Sequence, residues 1–286
     1  MPRQLLSVIG YPGPQESMGR MLIADSVIVG AAHNLNKRWI PLLLCVGLGT
    51  ITGVSFIFSG VETPVFALFC LTAFLGGLLS TWSPCGYSSL SLLRPAEPYS
   101  LSSLGHWLPT LAAHGVGYLV GGLVLATLLG PVGWLLPASA GGLTGWTLAA
   151  LGAVGLAYGL HQLGMIRMPY PQRRAQVSHR ARMHLPMWQT GLLYGLQLGL
   201  NFLTYVRSPI LYLVVIAAVL SGSIETAALL LLSLNLGRFL PILVNATPLA
   251  DWMVQRWMAN HDQFALRLDA CISLFVGTLL VVWSLA

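Results

Sequence analysis

Cys85 directly follows a proline inside an apolar run, which makes it the first candidate for chemistry in this chain. Segment 76–95 reads GGLLSTWSPCGYSSLSLLRP and places Ser83, Pro84 and Cys85 in consecutive positions. Proline breaks a helix from within but starts one readily, so Cys85 is predicted in the first turn of a half-helix over residues 85–93. Backbone N–H groups at a helix N-terminus favour an anion, and the thiolate is the nucleophilic form of cysteine. The pattern predicts a redox-active thiol at a helix break.

A second Ser-Pro pair, Ser208 and Pro209, lies in a later apolar run and is followed by Ile210. Arg207 precedes this pair, and Arg238 lies in the next apolar run. An arginine inside a membrane helix costs about 2.5–3.5 kcal/mol on insertion scales and normally faces a cavity or a partner. Both arginines are therefore predicted site residues, acting on the thiol or on an anionic substrate. Snorkelling, or pairing with a freed backbone carbonyl, is the structural alternative.

The other three cysteines, Cys45, Cys70 and Cys271, are predicted to fill the core. None of the four cysteines forms a C-x-x-C or Cys/His pattern, so neither a metal site nor a secreted disulfide framework is predicted. No cofactor is expected. His114 is expected to form a hydrogen bond between helices. No carboxylate pair, nucleophile–base set or phosphate loop is found, so any catalysis would be that of a thiol–disulfide carrier.

The composition is that of a membrane protein. Of 286 residues, 56% are hydrophobic and 8% are charged, and the mean hydropathy is +0.76. Soluble domains have roughly 25% charged residues. The net charge of +6 comes from short loops beside apolar runs, where lipid and insertion topology account for it. The lipid bilayer is the expected surrounding, and no nucleic-acid partner is expected.

Seven apolar runs approach the ~20 residues that cross a bilayer, which predicts an all-α polytopic bundle. They are residues 39–59, 65–94, 107–129, 143–164, 188–220, 224–245 and 266–283. The second and fifth runs are longer than one straight helix needs, and each contains a Ser-Pro pair. Both are predicted to be broken helices. Glycines at four-residue spacing predict close helix packing.

The chain divides into two predicted three-helix repeats, residues 65–164 and 188–286, each opening with a Ser-Pro run. They cross in opposite directions, so they predict an inverted repeat with its working site near the midplane, at the broken helices. Two proline kinks in packed helices are the alternative. The remaining predicted segments are a cytoplasmic N-terminus, an extra first helix, a basic cytoplasmic loop and an interfacial helix, at residues 1–38, 39–60, 165–187 and 249–264.

The loop charges predict the orientation of the chain. With the N-terminus inside, every Lys and Arg except Arg207 and Arg238 lies on the cytoplasmic side. The outside loops then carry only Glu62 and Glu225 as charges. Positive loops stay in the cytoplasm, so the N-terminus is predicted inside and the C-terminus outside.

The run LLSTWSPCGYSSLSLLRP, followed by an oppositely oriented Ser-Pro helix, resembles the membrane part of the CcdA family and of DsbD. The resemblance covers roughly residues 65–283. In that family each broken helix carries one cysteine, and the pair passes reducing equivalents from cytoplasmic thioredoxin to periplasmic thiol proteins. Cys85 matches the first cysteine, whereas Ile210 stands at the position of the second. A self-contained dithiol would need another cysteine of this chain.

Cys70 lies ~22 Å of helix away from Cys85, too far for a direct bridge. Cys45 or Cys271 could partner Cys85 only if the bundle brought one of them alongside. The sequence leaves this partner open.

A narrower resemblance is to the methylamine utilisation proteins related to CcdA, which share the extra first helix, the SPCGYSSLSLLRP run and a cysteine-free second arm. These accompany methylamine dehydrogenase, whose small subunit reaches the periplasm and needs many disulfides. The resemblance implies a multi-pass protein of the bacterial inner membrane that supports maturation of that subunit by thiol–disulfide exchange or reductant transfer. It implies a periplasmic thioredoxin-like protein and the small subunit as partners.

Two other functions are compatible with the sequence. One is a small-solute or anion transporter of the superfamily that includes the LysE exporters, with Arg207 and Arg238 binding the anion. The other is a scaffold that recruits a partner through the basic loop.

Overall fold

A computed structural model of the chain describes residues 35–59, 65–96, 98–135, 145–169 and 184–285. Within these ranges the structure is helical and contains no strand. Most of the predicted N-terminal segment 1–38, and residues 170–183 of the predicted basic loop, lie outside the described residues. Leu42–Ala286 is one compact unit, and the packing described below belongs to it.

Nine α-helices follow one another in the described part of the chain. They are α1 (Leu35–Ser59), α2 (Val65–Leu79), α3 (Pro84–Leu92), α4 (Leu101–Leu129), α5 (Gly145–Gln162), α6 (Met187–Gly199), α7 (Ile210–Leu220), α8 (Ile224–Phe239) and α9 (Asp251–Trp283). Short 3₁₀ turns extend α2, α4 and α8, at Ser80–Trp82, Gly130–Leu135 and Leu240–Ala246.

Three of the described helical segments are long and apolar enough to cross a membrane. They are Leu101–Leu135, Ile224–Ala246 and Asp251–Trp283. A fourth span results if Phe66–Trp82 and Pro84–Leu92 are counted as one helix, bent by 73°. These long apolar helices fit a membrane protein, as the composition predicted. The total of seven spans stays a prediction.

The α4 surface has the distribution of side chains expected in lipid. Leu119 and Leu123 point outward and are 53% and 46% exposed, whereas Gly117 and Gly121 are buried against neighbouring helices. Large apolar side chains outside and small residues inside are the reverse of a water-soluble helix, and are typical of helices that pack in a bilayer.

Glycines bring the helices into backbone contact, as their spacing predicted. On α4, a methyl group placed on Gly117 would lie 2.4 Å from the carbonyl oxygen of Leu192 in α6. On α6, a methyl group on Gly195 would lie 2.1 Å from the carbonyl oxygen of His114. His114 is buried, and its Nδ1 lies 3.0 Å from the carbonyl of Gly191, which confirms the predicted bond between helices.

The contact between α2 and α8 is built in the same way. A methyl group on Gly77 would lie 2.0 Å from the carbonyl oxygen of Leu234, and one on Gly237 would lie 2.0 Å from that of Phe74. Each helix therefore presents a glycine to the backbone of the other. No side chain larger than hydrogen fits at either position without separating the helices.

The predicted interfacial helix 249–264 and the predicted last span 266–283 form one continuous helix, α9, of 33 residues. No glycine or proline occurs between Asp251 and Gly277, so nothing in the sequence ends the helix between the two segments. At 1.5 Å per residue α9 is about 50 Å long, against about 30 Å for the hydrocarbon core of a bilayer. The prediction separated an amphipathic segment from an apolar run, and a change in polarity alone does not interrupt a helix.

Candidate functional site at two helix breaks

The first break lies between α2 and α3, at the predicted Ser-Pro pair. Ser83 has extended backbone angles, φ −79° and ψ 153°, and Pro84 is the first residue of α3. The Ser83 hydroxyl donates to the carbonyl of Ser80 at 2.6 Å, which holds the turn closed. Cys85 is thus the second residue of a helix that leaves α2 at 73°.

Cys85 is fully buried, with no exposed surface. It belongs to one apolar cluster with residues of α3, α4, α6, α9 and the turn after α8, namely Leu90, Leu93, Trp107, Tyr118, Tyr194, Leu198, Ile242 and Met258. The thiol therefore lies where helices from both predicted repeats meet. Cys45 and Cys70 pack against two other clusters.

The second break is longer than the sequence suggested. α6 ends at Gly199 and α7 begins at Ile210, so ten residues of the predicted fifth span are not helical. Asn201 has a positive φ of 56°. A left-handed residue just past the last turn commonly ends a helix, and asparagine tolerates that conformation better than most residues. Pro209 then precedes the first residue of α7.

Arg238 reaches into this second break from α8. Its Nη1 donates to the carbonyl of Leu198 at 2.8 Å and to Oδ1 of Asn201 at 2.6 Å. Its Nη2 has no hydrogen-bond partner in the part of the chain that the structure describes, although the residue is only 6% exposed. Among the described residues no carboxylate pairs with Arg238.

Two buried amides complete the network around this guanidinium. The Asn201 amide donates to Oδ1 of Asn235 at 3.1 Å. The Asn235 amide in turn donates to the backbone carbonyls of Tyr118 and Gly199, each at 3.1 Å. The carbonyls released where α6 ends are thus satisfied by side chains, as a break inside a bundle requires. Within the described part of the chain the positive charge stays without a counter-charge, and an anionic group is its natural counterpart.

Arg207 and Ser208 are bound to α9 instead. Arg207 forms a salt bridge with Asp262. The Ser208 hydroxyl donates to Oδ1 of Asp269 at 2.6 Å, and Gln162 donates to Oδ2 of the same carboxylate at 3.0 Å. These side chains line a cavity of about 10 Å³, room for about one water molecule. The carboxylate partner of Arg207 therefore comes from α9.

Sequence reasoning missed Asp262 and Asp269. Asp269 is 2% exposed and lies inside the apolar run 266–283, where a carboxylate is costly and marks an internal polar site. The sequence alone therefore marks Asp269 as a candidate site residue. The sequence does not mark Asp262 in this way, because it lies in a polar stretch that is typical of the membrane surface.

An apolar groove of about 720 Å³ runs beside the Cys85 cluster. Four of its lining residues also belong to that cluster or pack against it, namely Trp82, Leu90, Val254 and Met258. The Trp82 indole donates to the carbonyl of Met258 at 3.0 Å, joining the first break to α9.

The long apolar helices fit a membrane protein, and its two helix breaks hold a buried thiol and a guanidinium that has no carboxylate partner in the described ranges. Three relatives are named methylamine utilization protein MauF. The protein of Methylorubrum extorquens is 54% identical over 226 residues, 79% of this chain and 78% of its own. That of Paracoccus denitrificans is 45% identical over 269 residues, 94% of this chain and 96% of its own. That of Methylobacillus flagellatus is 42% identical over 262 residues, 91% of this chain and 92% of its own.

The chain belongs to the MauF family. No protein-family model matches it. No solved structure matches it either.

Proposed function

We propose that this protein is an inner-membrane accessory factor in the periplasmic maturation of methylamine dehydrogenase, acting by thiol–disulfide exchange at Cys85. The observation that carries the proposal is the position of Cys85, on the first turn after a 73° break and buried where both breaks meet. The relatives' name connects the family with methylamine utilisation. The dehydrogenase rests on the resemblance to the methylamine utilisation proteins, and the exchange chemistry rests on the resemblance to CcdA and DsbD.

The exchange at Cys85 is a balanced reaction. The Cys85 thiolate attacks one sulfur of a disulfide in the client subunit, a mixed disulfide forms, and the other client sulfur leaves as a thiolate. A second client thiol then attacks the mixed disulfide and releases Cys85. No external oxidant is consumed, and the client exchanges one disulfide pairing for another.

Arg238 supplies the positive charge that such a thiolate needs. Cys85, Tyr118 and Leu198 belong to one cluster, and Arg238 donates to the carbonyl of Leu198, so the guanidinium borders the cluster that contains the thiol. A nearby cation favours the thiolate. The unfilled Nη2 of Arg238 leaves a donor available for it.

The pattern of helix contacts supports the inverted repeat. α2 packs on α8 and α4 packs on α6, each through reciprocal glycines, while α5 packs on α9. If the two predicted halves are exchanged, α2, α4 and α5 take the places of α6, α8 and α9. The contact between α2 and α8 then becomes the contact between α6 and α4, and the contact between α5 and α9 is unchanged. We retain the proposed halves 65–164 and 188–286, with the N-terminus in the cytoplasm and the C-terminus outside.

Because Cys85 is fully buried, a client can reach it only if surrounding side chains move, and the route we propose passes through the groove. The wall of the groove contains Trp82 and Met258, joined by their hydrogen bond. Movement of α3 away from α9 would open a path from the groove to the thiol.

The test replaces Cys85 by serine in a strain whose growth on methylamine depends on this protein. Cys85→Ser is expected to abolish mature periplasmic small subunit, whereas Cys70→Ser, a cysteine of another cluster, is expected to leave it unchanged. The amount and disulfide state of the subunit are measured by non-reducing electrophoresis and thiol labelling. Normal maturation in Cys85→Ser would refute the proposal.

A second candidate function, anion transport, is favoured by one observation. The guanidinium of Arg238 is buried, has an unfilled donor and lacks a carboxylate partner among the described residues. Arg207 is less suited to this role because Asp262 already neutralises it. Anion flux in proteoliposomes that persists in Cys85→Ser and disappears in Arg238→Gln would identify a transporter.

A further inference from the structure

A buried carboxylate, that of Asp269, lies beside the second break without a cation of its own. The residue is 2% exposed and belongs to the apolar helix Asp251–Trp283. No salt bridge among the described residues includes Asp269, and Arg207 pairs with Asp262 instead. An ionised carboxylate in apolar surroundings is costly unless a positive charge offsets it.

The charges around the neighbouring cavity do not balance. Among its described lining residues, α9 contributes two carboxylates, Asp262 and Asp269, whereas the second break contributes one cation, Arg207. The other lining residues are neutral, namely Leu79, Trp82, Gln162, Ser208, Ala265 and Leu266. Because Arg207 is taken by Asp262, one negative charge is left over at Asp269.

Other titratable side chains on the neighbouring helices do not line this cavity. Among them are Cys45 on α1, Cys70 on α2, Tyr158 and His161 on α5, Tyr212 on α7, and Arg267 and Cys271 on α9. Arg267 is exposed and lies two residues from Asp269, a spacing that places side chains on different faces of a helix. Arg207 and Asp262 are therefore the charged groups that share the cavity with Asp269.

The atoms around Asp269 favour a proton over a metal ion as the compensating positive charge. Both carboxylate oxygens accept hydrogen bonds, from the Ser208 hydroxyl at 2.6 Å and from the Gln162 amide at 3.0 Å. Donor hydrogens repel a metal cation. The cavity of about 10 Å³ has room for about one water molecule, and not for the several oxygen ligands that a metal ion takes.

The Ser208 hydroxyl allows the site to hold either protonation state. When Asp269 is ionised, this hydroxyl donates to Oδ1. When Asp269 is protonated, its O–H can donate to the same hydroxyl oxygen, because a hydroxyl both donates and accepts. Gln162 donates to Oδ2 in both states. A proton can therefore bind and leave while both bonds are kept.

We propose that Asp269 is a proton-binding site that exchanges its proton with the aqueous phase through the cavity and Asp262. A water molecule in the cavity would lie between the two carboxylates, since both line it, and the Asp262 side chain is 26% exposed. The proton passes from a hydronium ion to the Asp269 carboxylate and leaves a water molecule behind. Nothing is oxidised or reduced, and the inference does not depend on chemistry at Cys85.

The test is infrared spectroscopy of the purified full-length protein in detergent during a pH titration. A protonated carboxyl group has a carbonyl stretching band that a carboxylate lacks. The wild type is expected to lose one such band between weakly acidic and alkaline pH. Labelling the side-chain carboxyl of aspartate with carbon-13 is expected to shift this band, which limits its source to the four aspartates of the chain.

Matched variants assign the band to one residue. Asp269→Asn retains an acceptor for Ser208 and is expected to lack the band. Asp251→Asn is the control, because it removes another α9 carboxylate, one that is paired with Arg94, and it is expected to keep the band.

A further variant tests the charge balance. Asp262→Asn releases Arg207, which can then pair with Asp269 and favour its ionised form, so the band is expected to disappear at a lower pH than in the wild type. An unchanged pH of disappearance would contradict the charge balance on which the inference rests.

Two results would overturn the inference directly. One is the absence of a titrating, label-sensitive band in the wild type, and the other is persistence of that band in Asp269→Asn. The first is read without any substitution, so it stands even if a variant folds poorly.

Discussion

Replacing Gly77 by alanine tests whether α2 and α8 are in backbone contact. The added methyl group would lie 2.0 Å from the carbonyl oxygen of Leu234, where ordinary contact begins at 3.4 Å. The obstacle is backbone, which cannot rotate away as a side chain can. The helices must therefore separate by about 1.4 Å at this point.

The expected cost follows from that displacement. Overpacking a well-packed interior costs about 1–3 kcal/mol, and backbone obstacles fall at the upper end. For a chain of this size each kcal/mol lowers the melting temperature by about 2–4 °C. We expect Gly77→Ala to melt about 4–10 °C below the wild type. Gly237→Ala is expected to have a similar effect, because its methyl group meets the carbonyl of Phe74 at the same 2.0 Å.

The assay is thermal unfolding of the purified protein in detergent, followed by intrinsic tryptophan fluorescence. Gly47→Ala is the matched control, since a methyl group there meets nothing within 4 Å. Alanine is the better helix former by about 0.5–1 kcal/mol, so the control should be neutral or slightly more stable. Equal melting temperatures for Gly77→Ala and Gly47→Ala would show that α2 and α8 are not in backbone contact.

Substitutions at three further positions address the breaks, each measured by the same thermal unfolding. Asn201→Val should lower the stability more than Asn201→Gly. Both variants lose the amide, but only valine is strained at positive φ, by about 1–3 kcal/mol. An equal loss of stability would contradict the left-handed backbone at residue 201. Trp82→Phe should cost about 1 kcal/mol through loss of the bond to Met258, and an unchanged stability would argue against that bond. Asp269→Leu should cost more than Asp269→Asn, which retains an acceptor for Ser208, and the reverse order would contradict this network.

The position of the first break could be predicted from the sequence because its causes are local. Pro84 removes one backbone donor and starts a helix well, so the bend and the place of Cys85 follow from two adjacent residues. The glycine contacts of α4 and α6 were predictable for the same reason, since Gly117 and Gly195 each belong to a four-residue pattern.

The second break and its partners depend on tertiary structure. Residues 200–206 contain no glycine or proline, and Asn201 is the local feature that favours the end of α6 at Gly199. The side chains that stabilise this non-helical segment come from other helices. Arg207 pairs with Asp262, 55 residues later in the chain, and the site takes Arg238 from α8. Such pairings follow from how the helices pack, which residue spacing does not encode.

The continuity of α9 has a mechanical consequence for the two breaks. Near its start the carbonyl of Met258 holds Trp82, and about three turns later the carboxylate of Asp269 holds Ser208. An uninterrupted helix transmits displacement along its axis with little loss. A displacement of α9 along its axis therefore acts on both breaks at once, and their movements are coupled through this helix.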